Sequence, residues 1–344
     1  MTTLLIGKPE LESELVDELT LRTGLDPATI EHCAAGVLAI AREPPTPLVF
    51  ERQRIEAARH LPGSTLRALV RDTVKQLLPP ITVAETLWTT HVFTVDSQIG
   101  EAGRARLFQE FLLDFIRERF PRVYRRYRPA AAIAESAIDF TVLNLLILAD
   151  GIRGAAMPAA RLSDTHPGGV HRKAFDPAAP SRSYLKLEEA FDTLGCAPLR
   201  GASVVDLGAA PGGWSYACLK RGCGVTAVDN GPLRIHEPDR FGGKLTHLRA
   251  DGLTFRPAPR DVPVDWLVSD MLVTAGKDIG MLRPWFTGRW MRRFVVNIKL
   301  PQTHAYRAII PVEDYLATVP DIRFAIRHLY HDRREVTLMG SVGQ

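Results

Sequence analysis

The stretch Asp206-Leu-Gly-Ala-Ala-Pro-Gly-Gly-Trp214 holds the residues whose types and spacing most directly suggest chemistry. Glycines 208, 212 and 213 let the backbone turn sharply and come close to a ligand, and the short apolar run 204–207 before them reads as a strand. The spacing is not the G-x-G-x-x-G of a dinucleotide pyrophosphate cradle. Asp206, at the end of that strand, suits a cationic amino group such as that of a methionine moiety. Asp229 ends the next strand-like run, 225–228, and is placed to accept from both ribose hydroxyls of an adenosine. Asp251, in Arg-Ala-Asp-Gly after a third run, is placed to accept from an adenine amino group. One strand-end aspartate is often only a helix cap. Acidic residues at three consecutive strand ends fit a sulfonium cofactor, S-adenosylmethionine (SAM), better than a dinucleotide.

The elements that must position these groups follow from periodicity. Strand-like runs at 204–207, 225–228, 245–248, 264–268 and 294–298 alternate with helical segments, which implies an α/β, mostly parallel, doubly wound sheet. The last two runs, 322–329 and 335–339, are close enough to form a hairpin that sets one strand antiparallel. Residues 181–344 therefore read as a Rossmann-like SAM methyltransferase domain with a C-terminal antiparallel hairpin. The first half has another rhythm. It has a short strand at 3–6, then a helix from Pro9 carrying Leu11, Leu15, Val16 and Leu19 on one side, with Gly24 just past its end. Further strands are expected at 35–42, 87–95 and 140–148, and a helix at 102–120. This is an α+β domain over residues 1–155. Residues 156–180 lie in a Gly-, Pro-, Ser-, Arg- and His-rich stretch without periodicity and read as a linker.

Ser181-Arg-Ser-Tyr-Leu-Lys-Leu-Glu-Glu-Ala-Phe191, the glycine turn, Val228-Asp-Asn-Gly-Pro232, Ser269-Asp-Met271, Asn297-Ile-Lys-Leu-Pro301 and Leu329-Tyr-His-Asp-Arg-Arg-Glu-Val336 occur in that order. The set closely resembles the FtsJ-like 2′-O-ribose methyltransferases, and within them the bacterial enzymes that methylate a cytidine ribose of 23S ribosomal RNA. The resemblance runs from about residue 165 to 340. It is loose before that, where the family carries a THUMP-type RNA-binding domain. It implies SAM as cofactor, RNA as partner, and a Lys-Asp-Lys-Glu tetrad at Lys186, Asp270, Lys299 and Glu335. It also implies a cofactor site that includes Ser183, the turn Gly208, Ala210, Pro211, Gly212, Gly213 and Trp214, and Asp229, Asp251 and Asp270. Ala210 departs from the family pattern, which has cysteine there; a small residue at a backbone-contact position matters little.

Elementary chemistry suits the tetrad. A ribose 2′-hydroxyl is a weak acid and needs a base or strong acceptor as its oxygen attacks a methyl group. A lysine is useless as a base while protonated near its reference pKa of about 10.4, and a neighbouring lysine in a partly dry site lowers that value. Lys299 is the expected general base, with Lys186 depressing its pKa and holding the hydroxyl. Asp270 and Glu335 are expected to orient the two lysines. Alone, Lys186 would read as a solvated helix lysine and Glu335 as a strand surface charge; only the set points to chemistry.

The whole chain sets the bounds. Its 344 residues are 46% hydrophobic and 24% charged, the composition of a globular protein large enough for two domains. No apolar run reaches the roughly 18 residues of a membrane span, and the first residues carry no basic n-region of a signal peptide, so a cytoplasmic protein with no membrane contact is expected. Cys33, Cys196, Cys218 and Cys223 form no C-x-x-C pair. His328 and His331, read as strand positions three apart, would point to opposite faces; no metal is expected. Residues 117–128 read Arg-Glu-Arg-Phe-Pro-Arg-Val-Tyr-Arg-Arg-Tyr-Arg, a pattern for phosphate contact with tyrosines able to stack on bases. Arg172-Lys173 and Arg292-Arg293 could extend that surface, and a monomer is the default. The competing readings are a nicotinamide-dependent oxidoreductase, disfavoured by the glycine spacing, a methyltransferase for another RNA, and a non-catalytic SAM-fold RNA-binding protein.

Overall fold

The computed structural model describes residues 2–44, 47–95, 102–135, 140–271 and 273–343. It consists of two compact units, Met1–Val170 and His171–Gln344.

The first unit is built on a seven-stranded sheet of order β2-β3-β1-β4-β7-β6-β5. Its strands are β1 (Thr2–Gly7), β2 (Glu31–Ala34), β3 (Val37–Ile40), β4 (Glu51–Pro62), β5 (Leu87–Phe93), β6 (Phe140–Leu148) and β7 (Gly151–Pro158). The expected single strand at 35–42 is instead a hairpin. Ala35 and Gly36 form the turn between β2 and β3, with Gly36 at φ 80°. The long strand β4 was not legible in the sequence. It pairs antiparallel with β1 as far as Ala58, with a register shift where Ala57 has φ 51°, and its last four residues pair with β7. Among the described pairings only β5 and β6 run parallel. The helices are α1 (Glu12–Thr23), ended by Gly24 in the left-handed conformation, α2 (Leu66–Leu77), α3 (Pro79–Ala84), α4 (Ala102–Arg119), α5 (Pro121–Tyr124) and α6 (Ala132–Glu135). α2 and α4 bury Leu69, Val70, Phe108, Leu112 and Ile116 in one core with Trp88 of β5. Residues 156–158, which the sequence puts in a linker, complete β7, and the division between the units falls at 170/171.

The second unit is a doubly wound sheet of order β10-β9-β8-β11-β12-β14-β13. Its strands are β8 (Ser203–Leu207), β9 (Gly224–Val228), β10 (Lys244–Leu248), β11 (Val264–Ser269), β12 (Met291–Lys299), β13 (Ile322–Arg327) and β14 (Glu335–Val342). β8 to β12 run parallel, and β14 inserts antiparallel between β12 and β13. The helices are α7 (Tyr184–Leu194), α8 (Gly213–Leu219), α9 (Ala275–Thr287) and α10 (Ala305–Ala317). α7 has an amphipathic pattern and buries Leu187, Ala190 and Phe191, the last edge-on to Trp266 at 5.2 Å between ring centroids. The chain winds out through β8, β9 and β10, then restarts on the other side of β8 with β11. In such sheets the crevice at that switch point, beyond the carboxyl ends of the strands, is where ligands bind. Gly208 follows β8 and Asp270 follows β11, so both stand at its mouth.

Candidate active site

Two cavities open at the carboxyl ends of these strands, and Asp270 lines both. The first, of about 370 Å³, is bounded by the turn after β8, Asp229 after β9, and Asp251 after β10. Its walls are fixed by backbone geometry. Gly208 has φ 74°, and a Cβ there would lie 2.3 Å from Met271 Cγ, so the cleft exists only with glycine at this point. Asp229 is held rigidly, accepting from Ala210 N at 3.0 Å and Gly231 N at 2.6 Å through different oxygens. Each carboxylate oxygen keeps a second lone pair for a ligand hydroxyl. Asp251 Oδ1 accepts from Leu253 N at 2.9 Å in a tight turn. The lining includes three aspartates and no lysine or arginine. A pyrophosphate would meet only like charge there; a sulfonium-bearing cofactor with an adenosine finds hydroxyl acceptors and a negative field.

Of the glycine motif, Gly208 and Ala210 line the cleft, whereas Asp206, Pro211, Gly212, Gly213 and Trp214 do not. Asp206 is 1% exposed and faces the interior, where Ser215 Oγ donates to its Oδ2 at 2.6 Å. Burial raises its pKa to about 7, against the hydrogen bond from Ser215. Trp214 is also buried, and its indole N–H donates to Ser183 O at 3.0 Å. That bond ties the start of α8 to the start of α7. Gly213 packs there against Ser181 and Ser183, whose hydroxyls are 2.7 Å apart; a Cβ on Gly213 would meet them at 2.4 and 2.5 Å.

The second cavity, of about 680 Å³, receives Lys186 from α7, Asp270 from the end of β11, Lys299 from the end of β12 and Glu335 from the start of β14. Lys186 Nζ lies 2.6 Å from Glu335 Oε1 and 3.4 Å from Asp270 Oδ1, and Lys299 Nζ lies 3.6 Å from Glu335 Oε2. The four residues far apart in sequence thus form one charged chain. The register of β12 against β14 makes this possible, since Lys299 and Glu335 are direct cross-strand partners. Glu335 also accepts from Arg333 N and Arg334 N at 3.1 and 3.2 Å.

The lysines are not equivalent. Burial works to lower the pKa of Lys186, but Asp270 and Glu335 outweigh it and hold it above its ordinary value. Glu335 is correspondingly held below its ordinary value, burial being outweighed by Lys186. Asp270 is raised by burial, with Lys186 and Asn297 pulling the other way. Lys186 is therefore a fixed ammonium, its side chain 14% exposed, whereas the Lys299 side chain is 44% exposed and meets only the longer contact. Glu335 stands between the two lysines, with Oε1 toward Lys186 and Oε2 toward Lys299.

Supporting residues escaped the sequence reading. Asn297 Nδ2 donates to Asp270 Oδ1 at 2.7 Å, and Thr337 Oγ1 donates to Asn297 Oδ1 at 2.8 Å. Both are polar residues flanked by apolar ones, Val296 and Ile298 for the first and Val336 and Leu338 for the second, which is the signal that could have found them. Arg182, His331 and Arg333 also line the cavity. The strand expected over 322–329 ends at Arg327, because Glu189 of α7 captures the Tyr330 and His331 backbone N–H groups and Leu329 N donates to Asp332. His328 and His331 are thus turn residues. His328 is buried and His331 faces the cavity wall.

The pattern of the FtsJ-like methyltransferase family matches residues 179–302, which include the lining of the first cavity and, of the second, all but His331, Arg333 and Glu335. A curated relative from Alkalilimnicola ehrlichii, named ribosomal RNA large subunit methyltransferase M, is 34% identical over 313 residues, covering 88% of this chain and 81% of that protein. The chain belongs to the ribosomal RNA large subunit methyltransferase M family. Further members of this family are 44% identical over 184 residues in Azotobacter vinelandii and 39% identical over 183 residues in a Marinomonas species. Against those two the chain spans about half of their length, 50% and 51%. The family match in the second unit lies on the elements that carry the tetrad's first three residues. Glu335 is added by β14, beyond the FtsJ-like match. Among the described residues no helix is long and apolar enough to cross a membrane.

Proposed function

We propose that this chain transfers the methyl group of SAM to a ribose 2′-hydroxyl of RNA, a cytidine of 23S ribosomal RNA, in the cytoplasm. The observation that carries the reading is the Lys186–Glu335–Lys299 chain beside Asp270, at the junction of an all-acidic cofactor cleft and a cation-lined cavity. SAM supplies an electrophilic methyl carbon on a positively charged sulfur. Asp229 and Asp251 hold the nucleoside part, the Gly208 turn lets the cofactor approach the backbone, and Ser183 and the Ala210-Pro211-Gly212-Gly213 turn border it. Trp214 acts through packing.

Lys186, fixed as a cation, donates to the hydroxyl oxygen and stabilises the negative charge that grows on it. Lys299, more exposed and less tightly held, swings to the hydroxyl and takes its proton. Lys299 passes the proton it takes to water, and the ribose oxygen would gain the methyl carbon that bound SAM supplies, the sulfur keeping the electron pair of the broken carbon–sulfur bond. Asp270 and Glu335 orient the two amines. No covalent enzyme intermediate is required, so positioning and electrostatics carry the acceleration. The first unit is proposed as a THUMP-like RNA-binding domain.

The test is transfer of labelled methyl from SAM to large-subunit RNA lacking the modification, with mapping of the 2′-O position. Lys299→Ala is expected to keep SAM affinity and to lose on the order of 10²–10⁴ in kcat, the usual size of a general base contribution. Undiminished transfer in that variant, or label on a base instead of a ribose, overturns the reading.

A further inference from the structure

The reading above leaves unused the most completely satisfied buried carboxylate at the edge of the catalytic cavity. Glu189 lies one turn after Lys186 on α7 and is 1% exposed. It accepts from Tyr330 N at 2.5 Å, from His331 N at 3.0 Å, and lies 2.6 Å from His331 Nδ1. A carboxylate offering only lone pairs, 2.6 Å from Nδ1, requires a proton on Nδ1, and in the neutral ring that leaves Nε2 as an acceptor. The His331 side chain is 15% exposed, and His331 lines the cavity that holds Lys186, Lys299, Asp270 and Glu335; with Nδ1 engaged by Glu189, Nε2 is the ring nitrogen available to a ligand there.

Two features make this more than a packing contact. Charged groups in the same lining, Arg182, Arg333 and the two lysines, are donors, and the tetrad's carboxylates are occupied by them. Apart from the hydroxyl of Ser183, which shares a hydrogen bond with Ser181, His331 is the neutral polar side chain of this lining among the described residues. In addition, Glu189 anchors the whole turn between β13 and β14, so the position of His331 is set by the same helix that presents Lys186. A proton-carrying role is unnecessary, since Lys299 is exposed enough to exchange with water directly.

We propose that the Glu189–His331 pair is a nucleotide-positioning element, in which His331 Nε2 accepts a hydrogen bond from an N–H or O–H group of the target RNA nucleotide. The inference rests on the ribose-methylation reading and deepens it by naming a specificity contact. His331 is a positioning residue here, and Glu189 acts through it.

The test separates holding the turn from holding the RNA. His331→Asn keeps a side-chain N–H near the Nδ1 position for Glu189 but removes the Nε2 acceptor; His331→Gln places an amide oxygen near Nε2. His331→Asn is expected to keep SAM affinity and melting temperature while KM for RNA rises about ten-fold, the loss of one hydrogen bond, with kcat changed less. His331→Gln is expected to recover part of it. An Asn variant indistinguishable from the parent in KM overturns the proposal, since Glu189 anchoring alone is then sufficient. Should the Asn variant misfold, histidine ¹⁵N spectra of the unaltered protein serve: the His331 Nε2 resonance is expected to move when an oligoribonucleotide carrying the target is added, and an unmoved resonance overturns the proposal. If the unaltered protein transfers no methyl group to ribose, it is the functional reading that fails; if it does and His331 is inert, only this inference falls.

Discussion

Lys186 and Lys299 bring the same charge into one cavity and are distinguished by their partners, two carboxylates for the first and one distant oxygen for the second. A similar lesson applies to Asp206, whose place in the glycine motif suggests a ligand contact but whose carboxyl is sealed inside. Its proton stays on to about pH 7 in the fold and leaves near 3.8 when the chain unfolds. The folded state therefore binds more protons between those values, so this group lowers stability progressively as pH rises through that window, with the full cost present above it. Asp206→Asn abolishes that titration while keeping an acceptor for Ser215. The fall of unfolding free energy from pH 4.5 to 7.5 is expected to be shallower in the variant by a few kcal/mol, an upper figure set by about 1.4 kcal/mol per pKa unit. Glu18 and Asp278, also raised by burial to about 7 and about 8, titrate in both proteins and cancel in the difference. Equal slopes in urea titrations across the range would remove this account of Asp206. The absolute offset is less informative, because Oδ1 has no hydrogen-bond partner in the fold and an amide nitrogen there would be unpaired.

At the scale of elements, β14 decides whether the site exists. Its pairing with β12 sets Glu335 against Lys299 and Thr337 against Asn297, and a slip of one residue would turn both to the other face of the sheet. The hydroxyl of Thr337 sits between Asp332 Oδ2 at 3.0 Å and Asn297 Oδ1 at 2.8 Å, and the relay runs on through Asn297 to Asp270. Thr337→Val preserves shape and strand propensity but strips a buried amide oxygen of its donor, which costs about 1–3 kcal/mol. Equilibrium urea unfolding is expected to register that loss, and kcat is expected to fall with it because Asp270 loses its orienting amide. A variant of parental stability and activity would mean that the relay carries nothing. The same scale explains what the sequence could tell. The strands of the second unit are short apolar runs punctuated by glycine or aspartate, so β8, β9 and β10 were located within a residue or so. β4 was missed because it opens on Glu51-Arg-Gln-Arg54, four residues that are polar yet buried, with Arg54 paired to Glu51 at 2.7 Å. No hydrophobic alternation marks such a strand. His331 was misjudged for a related reason: Glu189, 142 positions away in sequence, ends the strand there.

For the molecule as a whole, a net charge of +4 is too small to explain RNA affinity, and the distribution of arginines has to do so. The cluster 117–128 divides on inspection. Arg126 is spent on the carbonyls of Thr86 and Ile81, Arg117 is paired with Asp114, and Tyr124 and Tyr127 stack on each other 6.0 Å apart, with Tyr127 also edge-on to Trp88. The two tyrosines are half-buried and packed against the core of the first unit. Elsewhere, Lys173 is paired with Asp192 and Arg292 with Asp265, so neither pair of basic residues proposed to extend the surface is wholly uncommitted. Arg119, Arg122 and Arg125 are exposed on the end of α4 and the turn beyond it, and are the groups suited to phosphates. Neutralising a phosphate releases condensed counterions, so each contact adds about 0.7–0.9 to the slope of log affinity against log salt. Replacing the three arginines together by glutamine, with the catalytic cavity untouched, is expected to weaken binding of large-subunit RNA and to flatten that slope by about two units if all three touch phosphate. SAM affinity should be unchanged, because no residue of the cofactor cleft is altered. A slope identical to that of the parent protein over the same salt range would exclude this patch and move the search for the RNA path to the arginines that line the catalytic cavity.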